Sequence, residues 1–264
     1  MKACLSLLLL LLGLSQASPL LGQSGDSLEG SDDDDLDIGS RILNANKDTS
    51  ELLLEGDVLL PKARNAMRCW WGDYCRWSKS SDGLVTIPYT LSRDFSSWQK
   101  TKIERAMESF SNVSCIRFVP RQKEYSYISV VNGEGCYSYY GRIGGAQHLS
   151  LNRYGCVHHG IIQHELLHAL GFKHEHARSD RDQYVKINWD NIDPDKQHNF
   201  QRAYTNNLDT DYDYSSVMHY GKKAFSMRWN LDSITPIPDP EVSIGQRDGM
   251  TATDIRRINL LYGC

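Results

Sequence analysis

The run His164-Glu165-Leu166-Leu167-His168-Ala169-Leu170-Gly171-Phe172-Lys173-His174 holds three imidazoles and a carboxylate within a few turns of chain. Residues four apart share a helix face, so His164 and His168 aim their ring nitrogens at one point if this stretch is helical. A third nitrogen reaches that point from His174 only if the helix stops in between. Gly171 supplies the stop, because glycine tolerates left-handed backbone. Three imidazoles beside an open position make the donor set of a catalytic Zn²⁺ site, one ion per chain, since structural zinc sites are closed. Glu165 is rotated about 100° from His164 on the helix. Its carboxylate is expected beside the metal, carrying a proton between water and a leaving amine.

A second cluster, Ser215-Ser216-Val217-Met218-His219-Tyr220, follows in a loop-rich region, Met218 lying 44 residues beyond His174. A histidine-glutamate motif of this extended form with a later methionine turn is a metzincin signature. Met218 reads as a packing residue under the metal. Tyr220 carries a phenol able to reach the metal or to donate to a developing oxyanion. The remaining histidines, His148, His158, His159, His176, His198 and His219, have no comparable partners in sequence and read as structural.

Outward from the motif, Ile161 to Leu170 reads as a helix, and Phe95 to Val113 as another, with Ile103, Met107 and Phe110 on one face. Leu84 to Leu91, Ile116 to Val119, Tyr127 to Val131 and Gln147 to Leu151 read as strands, Pro88 pushing the first toward an edge or a bulge. Thr251 and Asp254 form a capping box ahead of Ile255, Ile258 and Leu261, which marks a last helix. The order predicts an α+β, two-lobed fold: a mixed sheet mostly in the N-terminal part, two long helices, and a loop-rich C-terminal lobe ending in a helix.

The chain has 264 residues, 40% hydrophobic and 23% charged, which excludes collagen, coiled coil and wholesale disorder. Leu5 to Leu14 is apolar but half the ~20 residues a membrane helix needs. With Lys2 before it and Ser15-Gln16-Ala17 after it, it has the layout of a cleaved signal over residues 1–17. Residues 18–64 are rich in Gly, Ser and Asp, and through Arg64 the chain carries five basic against eleven acidic residues. Such a segment stays mobile unless it docks. Its apolar island, Leu52 to Leu60 around Glu55-Gly56-Asp57, suggests docking, and Lys62-Ala63-Arg64 suggests a cleavage site. Residues 18–64 are therefore read as a propeptide, with residues 65–264 as the mature domain. The remaining 24 basic and 22 acidic residues are near balance, which disfavours nucleic acid as a partner. Cys4 leaves with the signal; Cys69, Cys75, Cys115, Cys136, Cys156 and Cys264 remain, an even set in a secreted chain, so disulfides are expected in one of fifteen pairings.

At these residues the chain resembles the astacin family of zinc metalloendopeptidases, whose pattern is His-Glu-x-x-His-x-x-Gly-Phe-x-His-Glu followed by Ser-x-Met-His-Tyr. The likeness runs from about Leu54 to Cys264 and includes Arg178 to Val185 and Tyr212 to Ser216. It implies zinc held by His164, His168 and His174, Glu165 as general base and acid, and Tyr220 as a further ligand that swings to stabilise the transition state. It also implies disulfides Cys115–Cys264 and Cys136–Cys156. A propeptide aspartate, here Asp57, would hold the open zinc position and keep the precursor silent; Leu54 stands where the family often has Phe. After cleavage near Arg64 by an activating protease, the new amino terminus at Asn65, where the family commonly has Ala, would lie near Glu175. His176 replaces a usual Gln. Asn65 to Trp70 and the additional pair Cys69 and Cys75 resemble fish hatching enzymes, the choriolysins, and imply a further Cys69–Cys75 bridge. The implied protein is secreted, with secretory granules as a route, monomeric, without membrane or nucleic-acid partners. Its substrate would be egg-envelope glycoprotein. Another extracellular protein substrate, a non-peptide amide substrate and a zinc-stabilised binding module without catalysis are the alternatives. Asn112-Val113-Ser114 is a glycosylation sequon.

Overall fold

The computed structural model describes residues 36–60, 75–246 and 248–264. The expected signal segment, the cleavage position at Arg64 and Cys69 lie outside the described residues.

In chain order the elements are α1 (Ile38–Asn46), β1 (Leu53–Leu54), β2 (Val58–Leu59), β3 (Val85–Leu91), α2 (Ser97–Ser111), β4 (Ile116–Pro120), β5 (Tyr127–Val131), β6 (Cys136–Tyr139), β7 (Ala146–Leu151), α3 (His159–Ala169), β8 (Val185–Ile187), β9 (Ile234–Pro236) and α4 (Ala252–Tyr262). The large sheet runs β1-β2-β6-β7-β5-β3-β4, and β8 pairs with β9 in a small second sheet. This is the mixed-sheet α+β architecture. In the large sheet β6 is antiparallel to β7, while β3, β4, β5 and β7 are mutually parallel.

Two apolar cores divide the described chain. The larger joins the sheet to α1 through α4 and includes Ile103, Phe110, Leu166, Leu170 and Met218. The smaller lies in the loop-rich part and includes Val185, Phe200, Tyr212, Tyr220 and Ile234. Met218 and Tyr220, two residues apart, thus belong to different cores, which places their turn at the seam.

The amphipathic face read in α2 is buried as expected, with Ala106 added, and Ser96 closes a capping box with Gln99 at its start. Pro88 is not on an edge strand: β3 is flanked by β4 and β5. Its missing N–H is tolerated because β5 joins the ladder only from Tyr89 onward, so beside Pro88 the strand has one partner, β4. Residues 36–60 are docked, which is more of the N-terminal segment than the apolar island. Ile38 and Ile42 of α1 enter the large core, with Asp37 capping the helix. Among the described residues no helix is long and apolar enough to cross a membrane. The structure joins Cys115 to Cys264 and Cys136 to Cys156; Cys75 is also disulfide-bonded.

Candidate active site

Helix α3 carries His164, Glu165 and His168, all buried. Its end shows why the third histidine reaches the first two. The Phe172 N–H bonds to the Leu167 carbonyl and the Gly171 N–H to the His168 carbonyl, while Gly171 sits at φ 97°. These are the paired bonds of a Schellman stop, which a left-handed residue makes possible. The chain then doubles back, and His174 comes within 4.7 Å of His168 and 5.1 Å of His164, ring centre to ring centre.

Each imidazole is oriented from its far side. The Nδ1–H of His164 donates to the Val217 carbonyl at 2.8 Å, that of His168 to the Phe172 carbonyl at 2.8 Å, and that of His174 to the Glu55 carboxylate at 2.9 Å. With Nδ1 used as donor, each Nε2 presents a lone pair inward. There they meet the carboxylate of Asp57, at 3.1 Å from His164, 3.4 Å from His168 and 3.2 Å from His174. Four buried acceptors facing one another without a donor repel, and the arrangement is satisfied only by positive charge at their centre. The spacing fits a metal, since ligands ~2.0–2.1 Å from a tetrahedral zinc lie about 3.4 Å apart. Asp57, His164, His168 and His174 form a group able to hold one metal ion. Their titration reflects the same demand. Burial would lower His174, yet the Asp57 and Glu55 carboxylates push it up to about 9. Burial drives His168 down to about 4. Against burial, His174 and His168 hold Asp57 well below the usual carboxylate range.

Glu165 is fully buried, and neither carboxylate oxygen has a hydrogen-bond partner among the described residues. Burial, and then the Asp57 charge, push its pKa well above the ordinary carboxyl value. A carboxyl so placed is poised for proton transfer rather than for structure. Tyr220 is buried between His174 and His176, and its hydroxyl donates to the backbone carbonyl of Glu55. Met218 packs in the large core while its turn supports the histidines: Val217 accepts from His164, and the Met218 carbonyl accepts from the Glu175 N–H at 3.0 Å.

Several supporting residues were not legible from the motif. Asp254 of α4 accepts from the Ser216 hydroxyl at 2.6 Å and the Val217 N–H at 3.0 Å, so one capping-box side chain holds both its helix and the methionine turn. Arg257 grips both oxygens of Glu175 at 2.6 and 2.9 Å, Arg178 adds a longer contact at 3.4 Å, and the Asp213 N–H donates at 2.7 Å. A signal existed: Asp254 and Arg257, three apart, are charges on the same helix face as the buried Ile258. Glu55 likewise bonds His174 and Lys173. His219 accepts from the Tyr212 hydroxyl and donates to the Tyr220 carbonyl, both at 2.7 Å. Glu175 borders a cavity of about 160 Å³, shared with Lys173, Arg178, Tyr204 and Arg257.

The β1–β2 hairpin enters this site. Leu54 pairs with Val58 around Glu55-Gly56-Asp57, and β2 lies parallel to β6 with Val58 opposite Ser138. Gly56 has φ 80°, and a Cβ there would collide with Leu43 of α1. Asn46 ties the hairpin to the sheet, donating to the carbonyls of Gly56 and Cys136 at 2.9 and 2.6 Å.

An α+β fold whose two cores meet at three convergent histidines and an unpartnered glutamate defines a zinc-dependent peptidase. The chain belongs to the astacin family: residues 74–263 match the peptidase family described as Astacin. It is 56% identical to High choriolytic enzyme 1 of Oryzias latipes over 266 residues, spanning 100% of this chain and 98% of that protein. It is 50% identical to the Low choriolytic enzyme of the same fish over 263 residues, 98% of this chain and 97% of the other. Among solved structures, it is similar to high choriolytic enzyme 1, a hatching enzyme zinc-protease of medaka. That likeness has a TM-score of 0.73 and 59% identity, and covers 76% of this chain and 100% of that one. The protein is therefore an astacin-family zinc metalloendopeptidase related to fish hatching enzymes.

Proposed function

We propose that this chain is the latent precursor of a secreted hatching protease that digests egg-envelope protein. The observation that carries latency is the convergence of Asp57, from the segment before the family domain, with His164, His168 and His174. In this reading residues 1–17 direct secretion, residues 18–64 are the inhibitory segment and residues 65–264 the enzyme. An activating protease cuts near Arg64. The disulfides Cys115–Cys264 and Cys136–Cys156 support an oxidising destination. Identity to the choriolytic enzymes supports the substrate.

His164, His168 and His174 would hold the ion through Nε2. Zinc supplies Lewis acidity there, polarising the scissile carbonyl and making water nucleophilic near neutral pH. Glu165 takes a proton from the attacking water on a carboxylate oxygen and delivers it to the departing amine nitrogen. Tyr220 donates its phenolic hydrogen to the oxygen that gains charge. Substrate adds as a strand to the sheet edge at β6, the edge that β2 covers in the precursor.

The precursor is silenced two ways. Asp57 would take the ligand position that water and substrate need, and the Glu55 carbonyl retains the Tyr220 hydroxyl. Removing the segment releases both. The new amino terminus would meet, at Glu175, a carboxylate already faced by two guanidinium groups. The test is to activate the purified chain by limited proteolysis, measure its zinc, and digest isolated egg envelope beside casein, with Glu165→Gln as control. Stoichiometric zinc with Glu165-dependent cleavage of envelope protein is expected. Cleavage of casein but not of envelope overturns the hatching role, and no Glu165-dependent cleavage overturns the protease.

A further inference from the structure

His176 follows the third histidine by two residues and, on spacing alone, has no partner. The fold gives it one. It sits on the short turn Glu175–Ala177, fully buried, with its ring stacked on that of Tyr220 at 3.9 Å between centres and 27° between planes. Its Nε2–H donates to the Asn199 carbonyl at 3.1 Å, and Phe200 borders it at 5.5 Å. The hydrogen bond fixes the plane of the imidazole from the side of the smaller core, and the turn fixes its backbone from the side of the metal ligands. The other rings against Tyr220 are His174, 4.6 Å away and tilted by 56°, and Phe225 and Phe200, at 6.0 and 6.1 Å with tilts of 60° and 79°, so among the described residues only His176 offers a near-parallel face.

We infer that His176 is a positioning residue for Tyr220: a flat platform, anchored to Asn199, over which the tyrosine ring moves in its own plane when it exchanges the Glu55 carbonyl for substrate. A ring sliding across a parallel face keeps most of its contact, whereas tilting away loses it. The platform therefore limits the phenol to an arc instead of a cone, and a hydrogen-bond donor confined in this way needs less ordering in the transition state. This inference rests on the proposed oxyanion role of Tyr220.

The test compares His176→Phe, His176→Leu and His176→Gln in the zinc-loaded chain, folded at full length and activated by proteolysis. Phe and Leu both fill the space and both forfeit the bond to Asn199, so their difference reads the flat ring. Gln keeps a donor for Asn199 and drops the ring, and serves if the apolar variants do not fold. Expected is a loss of about 3- to 10-fold in kcat for Leu and Gln, the size of one aromatic contact, with KM and zinc content unchanged, and a smaller loss for Phe, which keeps the ring without its anchor. In a Tyr220→Phe background the His176 substitutions should have no further effect on kcat. A readout apart from activity is the fluorine NMR signal of Tyr220 in the 3-fluorotyrosine-labelled full chain without metal, identified by its loss in Tyr220→Phe. It should move in the Leu variant and stay near its original position in the Phe variant. Equal losses in both tyrosine backgrounds, no difference between Phe and Leu, or turnover falling only with zinc would overturn the platform while leaving Tyr220 its role. If Tyr220→Phe alone leaves kcat unchanged, the oxyanion assignment fails and the platform with it.

Discussion

Replacing Arg257 by Met tests the frame behind the ligands. Glu175 is 2% exposed, and Arg257 supplies both of its closest side-chain bonds. Met preserves the aliphatic stem but leaves a buried carboxylate with one distant guanidinium and the Asp213 N–H. Breaking a buried pair from one side costs about 3–5 kcal/mol, or roughly 6–20 °C in Tm for a domain of this size. The pH dependence has a definite sign. Burial already raises Glu175 above its ordinary 4.5, and losing the Arg257 charge raises it further. A carboxyl whose folded pKa is raised binds protons more readily folded than unfolded, so its stability penalty is complete above the folded pKa and shrinks as pH falls toward 4.5. Urea unfolding of the full chain at pH 7.5 and near pH 5 should therefore show a larger deficit, relative to wild type, at the higher pH. The double variant Glu175→Gln, Arg257→Met should regain part of it, because a neutral amide has no charge to bury and its oxygen still accepts from Asp213. A deficit below about 1 kcal/mol, or one that is independent of pH and unrelieved in the double variant, refutes the reasoning.

Asp57→Ala in the full chain should raise basal activity on a fluorogenic peptide yet leave it well below that of the trimmed enzyme, because β2 still covers β6 and Glu55 still holds Tyr220. Complete inertness, or activity equal to the trimmed form, would show that the aspartate either does nothing or does everything. Glu165→Gln should keep its zinc and lose about 10²–10⁴-fold in kcat; metal analysis beside steady-state kinetics distinguishes this from loss of the site. Chelation should abolish activity and lower the Tm of the trimmed enzyme, with zinc restoring both; a Tm indifferent to chelation argues against a metal bridging α3 and the turn at His174.

Much of the site was written locally. His164 and His168 share a helix face, Gly171 must turn the chain, and the capping box at Thr251 starts α4. Each depends on a few consecutive residues and on backbone geometry alone. The docking of α1 was not legible, because Ile38 and Ile42, one turn apart in a nine-residue helix, mark an apolar face but not the surface that receives it. They are sufficient only because a preformed core receives them. Strand β6 escaped notice for a similar reason: Cys136–Tyr139 is short, and its burial comes from α1 and α3 packed against it, with β2 and β7 alongside.

The sequence by itself determined the donor set, the helix that presents it, the stop that returns His174, and the acidic leader with Asp57 in it. Tertiary structure alone decided that Glu55 orients His174, that Arg257 and Asp254 brace the ligand turn and the methionine turn, and that His176 lies flat against Tyr220. The physical reason is range. Spacing along a helix is set by bonds between near neighbours, whereas a buried charge or a stacked ring finds its partner tens of residues away, and no short window of sequence contains both.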